Sequence, residues 1–155
     1  MVRQYRNAID RETVEIPAGG LNNPEEPTAD SVMRIGEIDK MPLVEFSYLV
    51  KETFKEDGIR VVGDLDKQIK KVGIIGGSGG SYVLTAKRLD CDCLITGEIK
   101  HNNAIDAIEH NIALIEVSHS VEAFFKEYVK ELLSKQFEDV EFILSKEDIN
   151  PFKCF

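Results

Sequence analysis

Apolar and polar positions along this chain follow two alternating periods. Short apolar runs at 71–76, Cys93–Thr96 and Ile112–Val117 read as buried strands, each followed by residues at helical spacing. Tyr82–Leu89 and Asn103–Glu109 are the helices expected between them. Upstream, Val32–Ile38 and Ile59–Gly63 read as strands. They enclose a helix whose first turn suits Pro42 and which carries Phe46, Leu49, Val50 and Phe54 on one face. Downstream, Val121, Phe124, Phe125, Tyr128, Val129, Leu132 and Leu133 form a broad apolar stripe, the clearest helix of the chain, and Val140–Leu144 reads as a last strand. Strand and helix alternating over short connections predict an α/β fold with a mostly parallel or mixed sheet and helices packed on its faces.

Residues 1–30 break this order. They are polar, hold Pro17, Gly19, Gly20, Pro24 and Pro27, and show no sustained period, so an extended or partly ordered arm is expected before a single domain over 31–155. The size of 155 residues suits one compact core. A net charge of −9 argues against a nucleic-acid polymer as partner, although it leaves room for a small anion held by backbone amides. No apolar run is long enough to span a bilayer, and the N-terminus lacks the apolar segment of a secretory signal. The sparse cysteines (Cys91, Cys93 and Cys154) fit a reducing cytoplasm. Cys91 and Cys93, two apart, are expected on opposite sides of a strand, where they cannot share an ion.

Chemistry concentrates where the strands end. Gly76-Gly77-Ser78-Gly79-Gly80-Ser81 follows one strand, Thr96-Gly97-Glu98 the next, and Ser118-His119-Ser120-Val121-Glu122 the third. In a parallel sheet three such ends share one cleft. The glycine loop fails both common nucleotide motifs. No lysine follows Gly79 or Gly80 as a P-loop requires, and Tyr82 stands where a dinucleotide fingerprint needs its third glycine. Gly76, Gly77, Ser78 and Gly79 remain candidates for holding a carboxylate or phosphate on exposed amides; a turn that lets helix and sheet pack closely is the competing explanation. His119 and Glu122, three apart, project from neighbouring points of one helical face and can share a divalent ion. Equally, Glu122 complements a helix N-terminus that Ser118 caps.

Arg34-Ile35-Gly36-Glu37, Gly76-Gly77-Ser78-Gly79, Thr96-Gly97-Glu98-Ile99-Lys100-His101, Ser118-His119 with Glu122, and Asn150-Pro151-Phe152 occur in the order found in the NIF-three-like family, whose members are often called dinuclear metal centre proteins or GTP cyclohydrolase 1 type 2. Over residues 31–155 the chain resembles the C-terminal half of such a protein. The resemblance implies an α/β fold, a cleft for two metal ions and a homo-oligomer, usually a hexameric ring. It implies ligands in the form of two adjacent histidines and an aspartate from the N-terminal half, with a histidine and a glutamate from the C-terminal half. His119 matches the last histidine. The family places its glutamate four residues on, where this chain has Ala123; Glu122 is the nearest match. No two histidines are adjacent here, and Asp10 matches the aspartate segment only faintly. The expectation is therefore a divalent metal (zinc, iron or manganese) at an incomplete site on His119 and Glu122, with Glu98 as general base or water-orienting group and an anionic or nucleotide ligand at the glycine turn. That describes a metal-dependent hydrolase; the alternative is a non-catalytic oligomeric module that has lost its metal centre.

Overall fold

The computed structural model describes residues 14–15 and 33–147. Six strands form one mixed sheet: β1 (Val14–Glu15), β2 (Arg34–Pro42), β3 (Arg60–Val62), β4 (Gln68–Ile75), β5 (Cys93–Thr96) and β6 (Ala113–Glu116), in the spatial order β1-β2-β4-β5-β6-β3. The middle of the sheet is parallel, β4 to β5 to β6, and both flanks are antiparallel. The parallel strands are joined by crossover helices, α2 (Val83–Arg88) between β4 and β5 and α3 (His101–Glu109) between β5 and β6.

Alternation along the strands sends side chains into two separate cores. Leu94 and Leu114 pack with Val83, Ala86 and Ala107 beneath α2 and α3. Cys93, Ile95, Ala113 and Ile115 pack on the other face against Leu43, Phe46 and Val50 of α1 (Leu43–Phe54). As the spacing predicts, Cys91 falls in the first core and Cys93 in the second. Both thiols are free, and burial pushes both upward, Cys91 to about 11.

Helix α1 follows Pro42, whose fixed φ of −62° leads into the first turn, and ends where Lys55 turns left-handed at φ 56°. Its buried positions Leu43, Phe46, Ser47 and Val50 keep the i, i+3, i+4, i+7 rule, and the Ser47 hydroxyl is satisfied by Leu43 O at 2.7 Å. Leu49, expected on this face, is exposed, because the actual stripe is rotated toward Leu43 and Ser47.

One expectation near the C-terminal end needs correction. The stretch 140–144 is not a strand: the edge beside β6 is taken by β3, whose Arg60–Val62 pair with Leu114–Glu116. The stretch instead runs as an irregular strap. The Phe142 ring rests on Phe137 with centroids 6.4 Å apart, and Glu147 O accepts from Lys126 Nζ at 3.3 Å. Helix α4 (Phe124–Gln136) forms as its period predicts, and Val121 just before it packs against the second core. Phe125, Tyr128 and Leu132 are exposed, as are Val140 and Ile143 of the strap. No helix among the described residues is long and apolar enough to cross a membrane. Of the arm, only Val14–Glu15 is described, paired antiparallel with Ile35 and Arg34; Asp10, the Asn150-Pro151-Phe152 motif and Cys154 lie outside the described residues.

Candidate functional site

Parallel register brings the three strand ends level. Ile75 pairs with Thr96, and Thr96 pairs with Glu116, so the chain leaves all three strands at one edge of the sheet. The residues that follow are Gly76–Gly80, Gly97–Ile99 and Val117–Ala123, the segments singled out from the sequence. The last includes a 3-10 turn over His119–Ala123 that leads into α4.

The glycine turn is tied to its neighbour through one buried side chain. Thr96 is fully buried; its Oγ1 donates to Gly77 O at 3.0 Å and accepts from Gly79 N at 2.8 Å. Gly97 N also donates to Gly77 O, at 2.9 Å. With its carbonyl drawn inward by these bonds, Gly77 sits at φ +60°, where an L side chain is strained. Gly79 and Gly80 are glycines for packing. A Cβ on Gly79 would lie 2.6 Å from Thr96 Oγ1 and 2.7 Å from Ile75 Cβ, and one on Gly80 would lie 2.7 Å from Asn103 Oδ1. The close-packing explanation of the loop therefore holds for its second half. Helix α2 behind it has six residues, preceded by a 3-10 turn at Gly80–Tyr82, so it contributes little dipole to hold an anion.

The first half of the turn faces functional groups. A methyl-sized point on Gly77 lies 2.9 Å from Glu122 Oε1 and 3.4 Å from His119 Nε2. Glu122 also approaches Gly76, with Oε1 3.5 Å from the corresponding point. His119 Nδ1 lies 4.0 Å from Glu98 Oε2, at the outer limit of an ion pair and beyond hydrogen-bond length, while Nε2 faces the glycine turn. His119 and Glu122 thus stand over Gly77, with Glu98 on the Nδ1 side of the imidazole; Glu98 and His119 are each about half exposed. A carboxylate standing over these glycines disfavours a bare anion there and favours a cation.

The backbone around the two loops is held by charged residues that carry no motif. Glu116 accepts from Ile99 N at 2.9 Å and is paired by Arg60, which also donates to Ile99 O at 3.2 Å. Glu56, just past α1, accepts from the Ser118 backbone; burial raises its carboxyl above the ordinary range, partly opposed by that bond. Hydrophobic patterning points to neither group, since both act through strand pairing that brings distant segments together.

A sequence profile of one family, described as Duf34/NIF3 (NGG1p interacting factor 3), matches residues 9–151. The chain belongs to the Duf34/NIF3 family. A GTP cyclohydrolase 1 type 2 homolog of Bacillus subtilis is 34% identical over 131 residues, covering 81% of this chain and 35% of the relative. The homolog of the same name from Staphylococcus epidermidis is 42% identical over 102 residues, 65% of this chain and 28% of its own. Among solved structures, a Staphylococcus aureus protein superposes with TM-score 0.77 at 32% identity, covering 81% of this chain and 37% of its own. A Bacillus cereus protein described as related to NIF3 gives TM-score 0.77 at 29% identity, with 80% and 35% covered. This chain therefore spans about a third of the length of these relatives.

Whether the pocket of this NIF3 member suits a metal ion depends on its donors. An imidazole nitrogen and a carboxylate oxygen around one cradle are the right chemistry for a divalent ion. Two protein donors fall short of the three or four that hold such an ion firmly, and among the described residues no group of three His, Cys, Asp or Glu is placed to do so. The fit is that of a partial site.

Proposed function

We propose that this NIF3-family chain binds a divalent cation over Gly76 and Gly77 through His119 and Glu122, as part of a metal-dependent hydrolase acting on a nucleotide-type substrate. The observation that carries the reading is the orientation of His119, with Nε2 toward the glycine cradle and Nδ1 toward Glu98. A carboxylate behind a ligating histidine fixes its tautomer and raises its basicity, the usual arrangement at metal sites. In this reading Glu98 helps to orient His119 and serves as the general base or water-orienting group beside it. A bound divalent ion would supply Lewis acidity, bringing the pKa of water toward neutrality. An anionic substrate group would meet the cradle together with the cation, which offsets its repulsion from Glu122. The relatives' name, GTP cyclohydrolase 1 type 2 homolog, supports a nucleotide as substrate class. Titration calorimetry with Mn²⁺ tests the binding claim: wild type takes up the ion and His119→Ala loses at least tenfold in affinity. Identical isotherms for the two proteins refute it.

The second reading is a non-catalytic module that assembles with further copies of itself. It is supported by the partial donor set and by α4, whose exposed Phe125, Tyr128 and Leu132 form an uncovered apolar row. Sedimentation separates the readings. A self-assembling module is oligomeric, is dissociated by Leu132→Glu, and melts at the same temperature with chelator or with added Mn²⁺, since only a ligand of the native state raises stability.

A further inference from the structure

We infer that Arg60 and Glu116 are positioning residues for the pocket, bracing the backbone that follows Glu98 so that its carboxylate stays against His119. The inference rests on the reading of the pocket as a cation site. Its starting point is a cross-strand pair, Arg60 on β3 directly opposite Glu116 on β6. Arg60 Nε donates to Glu116 Oε1 at 3.0 Å and its Nη2 to Oε2, a two-pronged grip. The pair does not end with itself. Glu116 Oε2 accepts from Ile99 N at 2.9 Å, and Arg60 Nη2 donates to Ile99 O at 3.2 Å. Both backbone polar groups of Ile99 are thereby occupied by one ion pair, and the Ile99 side chain is sunk in the core below α2 and α3.

On the other flank, Gly97 N is bonded to Gly77 O at 2.9 Å. Glu98 therefore stands between two fixed peptide groups, one anchored to the glycine turn and the other to the ion pair. As a stability device the pair is weak, because the Arg60 side chain is 70% exposed and such pairs are screened by solvent. As a positioning device it is well aimed, since its free hydrogen-bonding capacity is spent on the residue next to Glu98. Loss of the brace lets the 97–99 corner relax, moves Glu98 from His119 Nδ1, and leaves Nε2 less firmly directed at Gly77. Removing the groups that orient a metal-binding histidine costs about 10–100-fold in affinity. A group acting one bond further out belongs at the lower end, about tenfold.

The test measures Mn²⁺ affinity by calorimetry, urea stability, and the imidazole ¹⁵N shifts of His119 in wild type, Glu116→Ala, Glu116→Gln, Arg60→Ala and the double alanine variant. The expected result is a roughly tenfold weaker Mn²⁺ affinity in each single alanine variant, with the double variant no worse, because the two side chains act as one unit. Glu116→Gln, which keeps an acceptor for Ile99 N, recovers most of the affinity. The His119 ¹⁵N shifts move away from the Nδ1–H form in the alanine variants and return toward it in Glu116→Gln. Wild-type affinity and unchanged shifts in both alanine variants overturn the inference. So does an affinity loss matched by Leu94→Ala, which lowers stability without touching the brace. If wild type itself takes up no Mn²⁺, the reading of the pocket fails, and the His119 shifts alone decide the brace: unchanged shifts in Glu116→Ala overturn it.

Discussion

Alanine at Gly77 and alanine at Gly79 are chemically the same change two residues apart, yet the structure assigns them different consequences. At Gly77 the methyl enters the pocket, 2.9 Å from Glu122 Oε1 and 3.4 Å from His119 Nε2. The carboxylate is the far end of a flexible, solvent-facing side chain and swings aside, so the stability cost is chiefly that of a left-handed alanine, about 1–2 kcal/mol. For a domain of this size that corresponds to roughly 2–8 °C in Tm. The methyl takes the place proposed for the ion, so Mn²⁺ affinity falls at least tenfold. At Gly79 the methyl meets Thr96 Oγ1 at 2.6 Å and Ile75 Cβ at 2.7 Å, a hydroxyl already engaged and a strand that cannot move. Overpacking there, with the Thr96 bonds to Gly77 and Gly79 lost, costs about 3–5 kcal/mol. Urea denaturation followed by circular dichroism gives the stabilities, and calorimetry gives the affinities. Gly77→Ala binding Mn²⁺ like wild type, or Gly79→Ala proving as stable as Gly77→Ala, refutes the division of this loop into a pocket-facing and a packing half.

Three further outcomes follow from the same geometry. Thr96→Val keeps the shape of a fully buried side chain but leaves Gly77 O with one donor fewer and Gly79 N with only its longer bond to Gly77 O, at 3.2 Å. The loss is about 1–3 kcal/mol in urea unfolding, with little change in the midpoint slope. The Cys91 thiol keeps its proton in the native state to higher pH than in the unfolded chain, where the ordinary value is 9.0. Its contribution is intact below pH 9.0 and is lost as pH rises toward about 11; Cys91→Ala reduces this alkaline slope, and replacing Cys93 as well reduces it further. Leu94→Ala, in the core under α2 and α3, costs about 2–5 kcal/mol, whereas Leu132→Ala on exposed α4 stays within about 0.5 kcal/mol in dilute solution. A larger loss for Leu132 at concentrations where the protein is oligomeric marks α4 as part of an interface.

The sequence showed the parallel centre of the sheet well and its flanks poorly. Runs such as Cys93–Thr96 and Ile112–Val117 are apolar because both faces of those strands are covered, and that pattern survives without knowledge of neighbours. The placement of β3 beside β6 carries no local signal. Arg60–Val62 reads as a strand, but nothing in it says that it returns antiparallel to the far edge and excludes 140–144 from pairing. The α4 stripe gave the helix but not its surroundings, because a period of 3.6 reports that an apolar face exists, not which of its positions the same chain covers. At the site, the small and polar residues at strand ends were legible because parallel strands deliver their ends to one edge. The roles of Thr96, Glu116, Arg60 and Glu56 were not, since each depends on contacts between segments far apart in the chain. Length sets a further limit, as the match covers only 35% and 28% of two relatives and their named activity belongs to the whole of them.

The central claim is that a divalent cation occupies the edge where β4, β5 and β6 end. Titrating substoichiometric Mn²⁺ into ¹⁵N-labelled protein tests it directly, because the paramagnetic ion broadens amide signals only near its seat. The account predicts early loss of the signals of Gly76, Gly77, Glu98 and His119, while those of Asp92 and Asn111, at the opposite ends of β5 and β6, persist. Broadening spread evenly over the acidic surface, or centred away from His119, contradicts it.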